Sequence, residues 1–150
     1  MPLNEEEKQW LSVMRDAANA AGHIYPDMAA CEAALESRFG KSGLAVEAKN
    51  LFGMKQHKHP EYGTLSLPTK EFEHGEWVAT TAEWVEYPDF PSCFEDRMAT
   101  LKRLSSYYSE YADALEAVSV TEYIVDVSKK WSTDPNRARK VQDIWNEWNS

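Results

Sequence analysis

Apolar residues recur along this chain with two different periods, and the change of period divides it into three stretches. From Asn4 to Ala21, the residues Trp10, Leu11, Met14, Ala17, Ala18 and Ala21 fall at three- and four-residue spacing, the repeat of a single helix face. Asn4 precedes this run as an N-cap and Glu7 follows three residues later, so a capping box starts the helix. A second helix is predicted over Pro26–Phe39, with proline in the first turn, where an N–H would be unpaired in any case, and a stop at Gly40. Its apolar positions, among them Met28, Ala29, Ala30, Cys31, Ala33, Ala34 and Leu35, cover most of its circumference, which places it inside a core. A short helix over Gly43–Lys49 then gives way to a turn at Asn50-Leu51-Phe52-Gly53.

Between Tyr62 and Tyr87 the period drops to two. Thr64-Leu65-Ser66-Leu67 and Trp77-Val78-Ala79-Thr80-Thr81 are rich in strand formers, and Glu73-His74-Gly75-Glu76 supplies a turn, so a hairpin or three-stranded lobe is predicted. Helical spacing returns with two Ser-x-x-Glu boxes. Ser92 with Glu95 precedes Met98, Leu101, Leu104 and Tyr108, and Ser119 with Glu122 precedes Tyr123, Ile124, Val127 and Trp131. A last helix, capped by Asp134 with Pro135 in its first turn, carries Val141, Ile144, Trp145 and Trp148 on one face. Helices, a small β lobe at about 60–87, then helices predict a single α+β domain over 1–150, with a cleft where lobe meets helical body.

Composition narrows the function classes. The 150 residues include 25 acidic and 16 basic side chains, a formal charge of −9, so a basic face for neutralising phosphates is missing and no nucleic-acid partner is expected. With 43% hydrophobic residues and only 6 Gly and 7 Pro, the chain is expected to build its own core without metal or disulfide staples. No apolar run reaches the roughly 18 residues of a membrane helix, and Met1 leads into Asn4-Glu5-Glu6-Glu7 instead of a basic and then apolar leader. Neither membrane insertion nor an export signal is therefore read from the chain. Cys31 and Cys93 lack a C-x-x-C partner and read as small buried thiols. His57 and His59 are two residues apart with no third ligand at metal spacing, so no metal and no cofactor are expected.

Glu36 is the candidate for chemistry. A carboxylate in the last turn of a largely buried helix faces the negative end of the helix dipole and partial loss of water, both of which disfavour its charged form and suit a general acid. The same position also suits a solvated last-turn residue beside Ser37-Arg38.

Three ordered strings make the reading more specific: Ala33-Ala34-Leu35-Glu36-Ser37-Arg38-Phe39-Gly40-Lys41-Ser42, Asn50-Leu51-Phe52-Gly53-Met54-Lys55, and Trp131-Ser132-Thr133-Asp134-Pro135-Asn136. From about His23 to Trp148 the chain closely resembles the bacterial and phage glucosaminidase family of peptidoglycan hydrolases, which includes flagellar-type and autolysin-type enzymes. The resemblance implies a lysozyme-like α+β fold, with a helical body and a small antiparallel β lobe bordering a groove for a glycan strand. It implies cleavage of the β-1,4 bond after N-acetylglucosamine, with Glu36 as the acid that protonates the leaving oxygen.

Thr69-Lys70-Glu71-Phe72-Glu73 is similar to the family's lobe segment and implies Glu71 as the second carboxylate. Strand alternation sends Glu71 and Glu73 to one face and Phe72 to the other, so Glu73 is also a groove candidate. Assistance by the substrate's own acetamido group is the remaining option. Phe52, Trp84, Tyr87 and Trp131 are candidate aromatic walls for sugar. Asn50 is expected to close its turn. Trp131 and Arg137 stand where the family often has Tyr, so no role requiring a phenolic hydroxyl is expected at either.

The implied partner is the peptidoglycan glycan strand, met by a monomer in the periplasm or extracellular wall, with delivery by a secretion machine, a phage lysis system or a fused domain. Two alternatives stand beside this reading: lytic transglycosylase or muramidase-type cleavage, and a cell-wall glycan-binding module without turnover.

Overall fold

The computed structural model describes residues 2–56 and 61–150. The chain runs α1 (Glu5–Ala20), α2 (Pro26–Ser37), α3 (Gly43–Ala48), β1 (Gly63–Glu73), β2 (Glu76–Glu86), α4 (Phe90–Leu104), α5 (Ser109–Leu115), α6 (Val120–Trp131) and α7 (Arg137–Trp148). This is a mainly helical body with a two-stranded antiparallel β lobe, consistent with a lysozyme-like α+β fold.

α1 begins as its sequence predicts. The Asn4 side chain accepts from the Glu7 N–H, and the Glu7 carboxylate accepts from the Asn4 N–H, closing the capping box. Leu11, Met14 and Ala18 of α1 are buried against α2, every residue of which from Met28 to Ala34 is inside. α2 ends two residues before the expected Phe39, because Arg38, Phe39 and Gly40 all take positive φ. Gly40 is required there: at φ +77°, a Cβ would come within 2.7 Å of Trp10 Nε1.

Ser42 and Ser119 cap α3 and α6, each accepting from the N–H three residues on. The other two expected starts are corrected. α4 starts before Ser92, with Asp89 as the N-cap that accepts the Ser92 N–H, so the carboxylate takes the role assigned to the hydroxyl. α7 starts at Arg137; Asp134 and Pro135 form the turn before it, where Asp134 accepts the Asn136 N–H. α4 also stops at Leu104, short of Tyr108, and the unforeseen α5 follows.

The hairpin pairs Gly63 with Glu86 through to Glu73 with Glu76. His74 and Gly75 both have positive φ, which a two-residue loop of the I′ kind requires. On the far edge of β2, Val85 and Gln56 donate to Met54 and Glu83 carbonyls, so the segment after Gly53 adds a short bridge and not a third strand. The hairpin stands out in solvent; Val85 is its one buried residue. Among the described residues, no helix is long and apolar enough to cross a membrane.

Candidate active site

Glu36 sits in the last turn of α2, where the buried helix reaches the surface. Ser37 beside it is buried, donating to the Ala33 carbonyl and accepting the Gly40 N–H, so the helix end is tied down on its inner side. The Glu36 side chain is 27% exposed. It is not left to the helix dipole as expected: Arg137 Nε donates to Glu36 Oε1 at 2.9 Å, so a guanidinium compensates its charge.

One turn earlier lies a second carboxylate, which sequence reasoning did not single out. Glu32 is completely buried. Arg97 holds it in a fork, Nη1 to Oε1 at 3.1 Å and Nη2 to Oε2 at 2.7 Å. Arg137 Nη2 adds a bond to Oε2 at 2.8 Å, and the Tyr123 hydroxyl donates to Oε1 at 2.6 Å. Burial pushes the Glu32 carboxyl up, but Arg97 and Arg137 outweigh it and hold it at about 2. His23 lies against the same network, 3.4 Å from Arg97 Nη1, and burial with the neighbouring Arg97 lowers it to about 4. The available signal was the charge itself: one acid within the apolar run Ala29–Leu35 needs a buried cation, and Arg97 and Arg137 are the two that arrive.

Arg97 links this network to the aromatic candidates. Its guanidinium lies 4.5 Å from the Phe52 ring and 4.2 Å from the Trp131 ring, between two faces that attract a cation. Phe52 and Trp131 meet edge-on at 6.2 Å and border a cleft of about 290 Å³ with Met54, Lys55, Arg103 and Tyr111. Asn50 shapes this border as expected, donating to the Met54 and Val85 carbonyls and accepting the Met54 N–H.

Lys55 reaches from the cleft to the lobe. It lies over the Trp84 ring at 5.3 Å and 4.0 Å from Glu71 Oε1. Trp84 is half-buried, whereas Glu71 keeps about half its side chain in water. Glu73 is exposed directly opposite Glu76 beside the turn, a like-charge pair that gains nothing from being opposed.

Tyr87 is about as buried as Phe52: it donates its hydroxyl to Asp96, packs edge-on against Tyr62, and borders a second cleft with Glu61, Gly63 and Glu86, not the one that Phe52 and Trp131 line. The structure thus joins Phe52, Trp131 and Lys55, connects Lys55 to Trp84 and Glu71, and relates Glu36 to them through Arg137, Glu32 and Arg97.

Cys31 and Cys93 are free and buried, as expected. His57 and His59 lie outside the described residues; among those described, no three His, Cys, Asp or Glu side chains gather as a metal site.

Residues 13–150 match the Glucosaminidase family, described as mannosyl-glycoprotein endo-beta-N-acetylglucosaminidase. The chain belongs to this family of peptidoglycan hydrolases. It is 31% identical over 124 residues to the exo-glucosaminidase LytG of Bacillus subtilis, covering 81% of this chain and 43% of that protein. It is 27% identical over 140 residues to a probable N-acetylmuramidase of Lactococcus lactis, covering 90% and 31%. The chain therefore spans less than half the length of these curated relatives.

The glucosaminidase fold is shared with the catalytic domain of the autolysin Auto from Listeria monocytogenes, at TM-score 0.84 and 22% identity, covering 99% of this chain and 88% of that one. It is shared too with a C-terminally truncated glycoside hydrolase domain of FlgJ from Salmonella typhimurium, at TM-score 0.75 and 24% identity, covering 95% of this chain and 97% of that one.

Proposed function

We propose that this glucosaminidase-family chain cleaves the β-1,4 bond that follows N-acetylglucosamine in peptidoglycan, with Glu36 as general acid. The observation that carries the reading is the placing of Glu36: a carboxylate at the open end of an otherwise buried helix, with Oε1 engaged by Arg137 and, among the described residues, Oε2 free of protein partners. In the proposed step, Oε2 gives its proton to the glycosidic oxygen as the C1–O bond breaks. Water supplies the hydroxyl that ends on C1, and its other proton returns to a carboxylate.

Glu71 is the proposed second acid. Its position on the lobe face with Trp84 and Lys55 supports a part in guiding water or balancing positive charge at C1. Trp131, Phe52 and Trp84 are the proposed sugar contacts. Glu73, nearer the hairpin turn, is assigned to the outer groove. The protein is proposed to act on wall outside the cytoplasmic membrane as a monomer.

A muramidase reading is favoured by one observation, the probable N-acetylmuramidases among the relatives. Reducing-end release and product masses from purified peptidoglycan decide between them, with wild type run beside Glu36→Gln and Glu71→Gln. The expected products end in reducing N-acetylglucosamine, with a loss of about 10³-fold or more in Glu36→Gln and a smaller loss in Glu71→Gln. Products ending in reducing N-acetylmuramic acid would establish the muramidase, anhydro ends a transglycosylase, and binding without release a glycan-binding module.

A further inference from the structure

Arg137 occupies a place that local rules disfavour. It is the first residue of α7, where the helix dipole repels a cation, and it is 1% exposed. Among the described residues it makes three side-chain bonds, all to other elements: Nε to Glu36 Oε1 at 2.9 Å, Nη2 to Glu32 Oε2 at 2.8 Å, and Nη1 to Ser128 Oγ at 2.9 Å. Glu32 is itself immobilised by Arg97 and Tyr123. The guanidinium plane is therefore set by α2 and α6 before Glu36 is considered, and a rigid fork points its Nε–H at one oxygen of a side chain that would otherwise sample several rotamers.

We propose that Arg137 is a positioning residue: it ties down Oε1 of Glu36 and thereby leaves Oε2 as the oxygen that delivers the proton to the glycosidic bond. The inference rests on the reading of Glu36 as general acid. It separates two functions of one cation. Toward Glu32, Arg137 compensates a buried charge; toward Glu36, it sets the direction of proton transfer. Lysine cannot replace it, because a point donor on a flexible stem does not hold two carboxylates and a hydroxyl in one plane.

The test measures kcat and KM for reducing-end release from soluble glycan chains prepared from peptidoglycan, with urea unfolding of every variant. Arg137→Met is expected to lower kcat about 10²-fold, with KM within about twofold. Arg137→Lys is expected to lower it about tenfold. Ser128→Ala removes the Nη1 anchor and keeps the arginine; a few-fold fall in kcat is expected, and this variant serves if Arg137→Met does not fold. Tyr25→Phe is the control, since it breaks a partly buried hydrogen bond to the Ala117 carbonyl that belongs to no part of the Glu32–Arg137–Glu36 chain; it is expected to lose stability while keeping kcat within about twofold.

An active wild type with kcat unchanged in Arg137→Lys and Ser128→Ala overturns the inference alone, as does a fall in Tyr25→Phe equal to theirs. A wild type that releases no reducing ends, at any pH where it is folded, overturns the functional reading and this inference together.

Discussion

Around α2, side chains have almost no contact with water; along the β1–β2 hairpin, nearly all of them keep it. The two regions answer the same problem, where to put a carboxylate, in opposite ways. In the body, Glu32 is surrounded by two arginines and a tyrosine, and Glu36 is fixed from behind by one of those arginines. In the lobe, Glu61, Glu71, Glu73, Glu76, Glu83 and Glu86 stand against Lys70 of the lobe itself and Lys55 reaching in beside Glu71, and solvent carries most of the compensation. The contrast teaches that position is specified in the body by desolvated ion pairs and in the lobe mainly by backbone pairing, with exposed side-chain contacts added. A site built across the two has one rigid wall and one whose side chains adjust.

Removing a cation from the body should have the largest effect. Arg97→Met leaves Glu32 with half its compensation in a site without water, so a loss of about 3–5 kcal/mol is expected in urea unfolding; a loss under about 1 kcal/mol would break the contrast. Acid should act next. Folded His23 stays neutral down to about pH 4, while the unfolded chain binds this proton from its ordinary 6.5. Stability is therefore lost as pH falls from 6.5 to 4, by roughly 3 kcal/mol. Glu32 extends the loss below its ordinary 4.5 toward 2. Urea midpoints at pH 7, 5 and 4 should fall less steeply in His23→Gln than in wild type; parallel slopes would show that the network does not exclude this proton.

The smallest effect is expected at the lobe tip, where Phe72 and Trp77 face each other with centroids 5.3 Å apart and more than half of each side chain in water. Phe72→Ser with Trp77→Ser should lower stability by less than about 1 kcal/mol, and a larger loss would show that the hairpin supports the body.

Most of the fold was legible because its signals are local. The Asn4–Glu7 capping box, the two-residue turn at His74-Gly75 and the buried circumference of α2 depend on residues within a few positions of one another. The misreadings are local competitions too: Asp89 outranked Ser92 as a cap, and α5 is too short, at seven residues, for its period to register. The candidate site was half legible: the place of Glu36 at the end of α2 and the turn closed by Asn50 follow from local motifs, whereas the meeting of Phe52 with Trp131 and the burial of Tyr87 against Asp96 of α4 depend on partners distant in sequence.

By itself the sequence determined the faces of the longer helices, the hairpin's turn and the candidate acid at the end of a buried helix. Only the tertiary structure decided what stands behind that acid. Glu32 meets Arg97 across 65 residues and Arg137 across 105, and Glu36 meets Arg137 across 101. No periodicity spans such separations. The pairing is chosen in three dimensions, because a charge deprived of water takes the counter-ion that packing brings within reach.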